Sequence, residues 1–148
     1  MCAAAPTKYS AMPWTVEYEP ERALVIVAST GEMRDEDASA QTAEVVCFLK
    51  QNHSTTVLVD YSDAFSEVAL PSLYWLPDYA SILGAPRNIR VAVVLPRTRY
   101  RLESFQFLEL VCKNAGYTVR LFEAKAAAEA WLAETLAPRE PASQAVPA

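Results

Sequence analysis

The chain has 148 residues, of which 52% are hydrophobic and 21% charged, and its formal net charge is −5. That length suits a single domain that buries enough surface to fold without a metal or a disulfide framework. The apolar content excludes a disordered chain, and the acidic balance argues against a nucleic-acid partner, because phosphate contacts call for a basic excess.

Residues 1–12 are small and polar and read as a disordered tail. Trp14 to Tyr18 alternates large apolar with polar residues, the period of a half-exposed strand. Glu19-Pro20-Glu21-Arg22 is a turn, and Ala23 to Ala28 (ALVIVA) is a continuous apolar run, as in a strand covered on both faces. The short turn makes these two an antiparallel hairpin. Ser29-Thr30-Gly31 should end the second strand. Asp35-Glu36-Asp37 then places acids in the first turn of a helix, where they complement its dipole. This helix should run to about Gln51, with Ala38, Thr42, Val45, Val46 and Leu49 on its inner stripe, and stop at Asn52-His53-Ser54.

Thr56 to Asp60 (TVLVD) reads as a buried strand, followed by a loop from Tyr61 to Val68. Pro71 suits the first turn of a helix from about Ser72 to Leu83, which Pro77 should shorten or kink. Ile89 to Leu95 is the next strand. Thr98 is placed to cap a helix to Ala115, with Leu102, Phe105, Leu108, Cys112 and Ala115 facing inward. Thr118 to Phe122 is the last strand, and Ala124 to Leu136 the last helix, with Trp131 and Leu132 on its inner side. From Pro138 to the end, residues 138–148 read as a second disordered tail. The order ββαβαβαβα over residues 13–137 implies a single α/β domain. Its central sheet should be mostly parallel, with one antiparallel strand at the N-terminal edge.

The three cysteines, Cys2, Cys47 and Cys112, have spacings unlike a disulfide framework or a CxxC site. Cys47 and Cys112 lie in apolar helical surroundings and read as buried, reduced thiols. The start Met1-Cys2-Ala3-Ala4-Ala5-Pro6 has no cationic segment followed by an apolar run, unlike a signal peptide, and no stretch has the about 18 apolar residues of a membrane span. A cytoplasmic location is expected by elimination.

The opening hairpin ending in ALVIVASTGEM, the strands TVLVDYSD and IRVAVVLP, and the closing GYTVRLFEAKAAAEAWL together resemble the SpoIIAA-like branch of the STAS superfamily. That superfamily includes anti-sigma-factor antagonists and cytoplasmic domains of sulfate transporters. The resemblance spans roughly residues 14–136 and implies a SpoIIAA-like fold and action through protein partners. Anti-sigma-factor antagonists carry a phosphorylatable serine in an Asp-Ser-Ser-Gly-like turn. Here the region reads Glu67-Val68-Ala69-Leu70-Pro71-Ser72-Leu73. Ser72 is near the right place, but the preceding acid, the paired serine and the glycine are missing. Ser72 is therefore expected to be a helix-start serine and not a phosphoswitch.

No complete catalytic, metal or cofactor motif is present. His53 is the only histidine and sits in a polar turn away from the strand ends where sites collect. One histidine and scattered thiols do not make a zinc site. Gly31, Gly84 and Gly116 are isolated, so no glycine-rich phosphate loop exists. Asp60, Asp63 and Glu67 are loop carboxylates and read as solvated.

The candidate ligand or partner surface comprises Asp60, Asp63, Ser72, Tyr74, Trp75, Tyr79, Arg97, Arg99 and Arg101. The acids and arginines follow successive strands at their carboxyl ends, the usual location of a site in an open parallel sheet. The three aromatics stand on one short helix that cannot turn them all inward, which marks a surface for a partner protein or a second copy of the chain. The expected function is a non-catalytic regulatory or interaction domain. The alternative is a domain that binds a small apolar or anionic molecule, or a lipid, in a cleft under that helix. A distant resemblance of this branch to CRAL-TRIO lipid-transfer domains gives the alternative its basis.

Overall fold

The turn at Pro20–Arg22, one turn of 3-10 helix, reverses the chain between β1 (Trp14–Glu19) and β2 (Leu24–Met33). Antiparallel pairing follows, with Trp14 opposite Ser29 and Glu19 opposite Leu24. In chain order come α1 (Asp35–Asn52), β3 (Thr56–Ser66), α2 (Leu70–Ile82), β4 (Arg90–Val94), α3 (Leu102–Asn114), β5 (Thr118–Phe122) and α4 (Lys125–Leu136). This computed structural model describes residues 14–66, 69–97 and 100–136. The tails expected over 1–12 and 138–148, and the cap expected at Thr98, lie outside the described residues.

The sheet order is β1-β2-β3-β4-β5, with β2 to β5 parallel. This is the expected single α/β domain with an antiparallel edge strand. Strand order equal to chain order has a consequence. Crossovers of the usual right hand must all fall on one face. Accordingly α1, α2 and α3 share one apolar core with Val25, Val27, Val57, Val59, Val93 and Val119. The opposite face is covered by α4, through Ala128 and Leu132 on Leu24, Leu58, Ala92 and Val94.

Several boundaries differ from the sequence reading. Ser29-Thr30-Gly31 does not end β2, and Tyr61 to Ser66 is strand, not loop. A register shift between Ala28 and Thr30 lets the two strands resume pairing, from Thr30 opposite Asp63 to Met33 opposite Ser66. This bulge re-aims the chain so that Met33 and Ala64 become buried. α2 starts at Leu70, two residues earlier than expected. α3 starts at Leu102, with Leu102 and Ala115 exposed rather than inward.

α1 buries Gln41 and Glu44 where the apolar stripe alone was expected. Both are satisfied: the Trp14 indole N–H donates to Glu44 Oε1 at 2.9 Å, and Gln41 Nε2 donates to Ser29 Oγ at 3.0 Å. Trp131 is half-buried, not an inner-stripe residue. Its ring lies 5.8 Å from that of Phe122, with the Arg120 guanidinium 5.4 Å from its centre. Cys112 is the expected buried thiol, whereas Cys47 is half-buried and disulfide-bonded.

Candidate functional site

The strand-end residues meet only in part. Asp60 accepts the backbone N–H of Ser62 at 2.9 Å and its hydroxyl at 2.6 Å. Asp63 and Arg97 form an exposed ion pair, and the Arg97 backbone N–H donates to the Ser62 carbonyl at 3.1 Å. Arg101 is exposed at the start of α3, and Arg99 lies outside the described residues. Asp60 is thus satisfied by Ser62 and Asp63 by Arg97, and an exposed pair of the latter kind contributes about 0–1 kcal/mol. No hydrogen bond, ion pair or ring contact among the described residues joins them to the aromatics of α2. The single cleft expected from the sequence is thus replaced by two features, one on each side of α2.

α2 packs mainly on α1 and α3 and is fastened to α1 at both ends. At its start, the backbone N–H of Ala69 donates to Asp35 Oδ1 at 2.8 Å. At its end, Lys50 Nζ donates to the carbonyl of Leu83 at 3.0 Å, a cation on the negative end of a helix dipole. Leu73, Pro77 and Ala80, at the three- and four-residue spacing of one helical face, are buried. Pro71 occupies the first turn, where a missing N–H costs nothing. Pro77 lies within the helix and removes the bond that residue 77 would give to the Leu73 carbonyl. Ser72 is half-buried in the first turn.

The outer face of α2 carries Leu70 (45% exposed), Tyr74 (52%), Trp75 (59%) and Ile82 (81%), with Tyr79 at its margin. The Tyr74 and Trp75 rings meet edge to face, 5.1 Å between centres. Trp75, Asp78, Tyr79, Ser81 and Ile82 line a shallow groove. Asp78 is the one charged residue of the helix. A carboxylate that shares a groove with two aromatic rings is suited to a cation, since rings and carboxylate attract it together. Asp78 and Ile82 were not singled out in the sequence. The signal for them was present, because they lie three residues from Trp75 and four from Asp78, on the same face.

Beneath α2 lies a cavity of about 150 Å³. Leu73, Leu76, Pro77 and Ala80 form its α2 wall, with α1, α3 and the sheet completing it. At roughly 24 cal/mol per Å³, an empty apolar void of that size costs about 3–4 kcal/mol relative to a filled one. On its wall the Tyr61 hydroxyl donates to Gln41 Oε1 at 2.9 Å. Burial pushes the Tyr61 phenol up to about 12, and does the same to the Cys112 thiol.

Among the described residues no group of three or more His, Cys, Asp or Glu could hold a metal ion, and no helix is long and apolar enough to cross a membrane. No family model matches the chain, and no curated protein matches it. Solved structures similar to it include two SpoIIAA-like proteins. One is an uncharacterised DUF3478-family protein of Shewanella loihica PV-4 with a SpoIIAA-like fold, at 18% identity and a TM-score of 0.49, covering 80% of this chain and 91% of that one. The other is the anti-sigma factor antagonist SpoIIAA in its unphosphorylated form, at 16% identity and a TM-score of 0.48, covering 80% and 94%. Both are SpoIIAA-like, the branch that the sequence resembles, and the likeness is one of fold.

Proposed function

We propose that the domain is a non-catalytic interaction module that docks a basic, apolar segment of a partner protein on the outer face of α2. The carrying observation is that Tyr74, Trp75 and Ile82 all point away from the core around a single charge, Asp78. Exposed aromatics with few rotors are the favoured anchors of protein interfaces. The charge pattern selects the partner. An acidic chain, at −5, repels a second copy of itself, and Asp78 within the groove favours an arginine or lysine flanked by apolar side chains. The sequence resemblance, to a branch that works through protein partners, points the same way. Asp63 belongs to this reading as a rim carboxylate paired with Arg97, Arg97 and Arg101 as the basic rim that keeps the cationic segment on the α2 side, and Asp60 and Ser72 as supports of the neighbouring turns.

The test is a titration with a synthetic amphipathic peptide of leucine and arginine, followed by isothermal titration calorimetry. Saturable binding is expected for the parent and its loss for the Tyr74→Ser/Trp75→Ser double variant, with unchanged circular dichroism. Equal binding of a leucine–glutamate peptide contradicts the charge assignment. Self-association through α2 without peptide replaces the partner by a second copy.

A further inference from the structure

The cavity under α2 is apolar, and its polar lining groups are mostly spoken for. Among the described residues no charged side chain lines it. The Gln41 amide is engaged by Ser29 and Tyr61, the Tyr61 hydroxyl by Gln41, and the Thr42 hydroxyl by the Ala38 carbonyl at 2.9 Å. Protein interiors seldom leave voids larger than a water molecule, so a space of about 150 Å³ is a departure from ordinary packing. Water gains little there, because it needs two to four free polar partners. From these facts we infer that the cavity is a binding site for a small, neutral, apolar molecule, the size of a single six-membered ring or a short branched alkyl group.

Size and chemistry set the ligand class. A cavity of about 150 Å³ in an apolar core is known to remain dry and to accept benzene or xenon. A long acyl chain exceeds that space, and a carboxylate or phosphate finds no cation on the walls. Among the described lining residues, Ser104 and Tyr117 carry the hydroxyls without a hydrogen bond, so the ligand carries at most one or two polar atoms toward them. Entry is through the α2 wall. That helix is fastened at its two ends by single hydrogen bonds to α1, and between them Pro77 interrupts its ladder next to the cavity. Displacing α2 opens the space without breaking the sheet. The inference stands on the cavity alone and not on the docking of a partner.

The full chain is melted with and without benzene near its solubility limit, and its methyl resonances are recorded during a benzene titration. The melting temperature is expected to rise by about 3 °C or more by linkage. Methyl shifts are expected at Val45, Leu73 and Leu108, which line the cavity, and not at Leu24 or Leu58 on the far face of the sheet. Ala80→Leu, which fills the space, is expected to abolish both effects. The methyl map on the parent decides the matter even if that variant does not fold. No rise with no localised shifts overturns the inference, as does an equal rise in folded Ala80→Leu. A rise with decanoate that matches benzene overturns the assigned size and charge.

Discussion

Lys50 Nζ, near the end of α1, lies 3.0 Å from the carbonyl oxygen of Leu83, the residue that closes α2. Its counterpart at the other end is Asp35, which accepts the backbone N–H of Ala69. The two contacts make α1 and α2 parallel neighbours held at both ends, over a cavity that leaves their middle lightly packed. Each clip is a charge-assisted bond to a backbone group, of the order of 1 kcal/mol when partly exposed.

Lys50→Ala and Asp35→Ala should each lower the melting temperature by about 2–4 °C for a chain this size. The clips stand at opposite ends of a helix roughly 20 Å long, so their effects should add in the double variant. Thermal melts of the three variants test this. A double variant no worse than either single one would mean that the clips act as one unit.

Leu132→Ala should cost more than Trp131→Ala. Leu132 is fully buried against the far face of the sheet, and its truncation should cost about 2–5 kcal/mol. Trp131 is half-buried beside Phe122 and Arg120, so its loss should cost about half as much. Urea denaturation of both variants supplies the comparison. A Trp131 variant the weaker of the two would place that ring in the core after all.

Stability should fall at alkaline pH. The Tyr61 phenol is raised from 10 to about 12 and the Cys112 thiol from 9 to about 12. Folding holds both in the neutral form. Between the unfolded and folded values only the unfolded chain has lost the proton, so stability drops as pH rises. The contribution is intact below about pH 9 and is lost progressively up to about 12. Tyr61→Phe should flatten the part of the slope above pH 10, seen in denaturation midpoints across that range. An unchanged slope would show that the phenol ionises as freely in the fold as out of it.

Ser72 should stay unmodified when the protein is incubated with ATP and total cellular kinases. It is half-buried in the first turn of α2 behind the rigid Pro71, and the turn that presents a serine to a kinase is missing. Phosphosite mapping by mass spectrometry checks this, and stoichiometric phosphate on Ser72 would restore a phosphoswitch.

Most of the architecture was legible in the sequence because local and global signals agree. The run TVLVD and the alternation in IRVAVV can only be strands between helical segments, and Asp35 to Asn52 carries a helical stripe with acids at its start. The extension of β3 was not legible. YSDAFS is polar and looks like a loop, and it is strand because the bulge after Ala28 brings β2 alongside it. The exposure of Tyr74 and Trp75 was legible by counting about 100° per residue on a helix too short to hide both. Burial of Trp131 was misjudged, because Ala128 and Leu132 already fill the inner side of α4. The cavity was beyond reach, since its volume depends on how side chains from three helices and the sheet fail to meet.

Docking of a partner on the outer face of α2 is open to direct measurement. The most direct measurement is a backbone amide chemical-shift map of the full chain titrated with the leucine–arginine peptide. Perturbations are expected to concentrate from Leu70 to Ile82 and to be strongest near Trp75 and Asp78. Perturbations centred instead on α4, or on the Asp63–Arg97 pair with α2 unmoved, would contradict it.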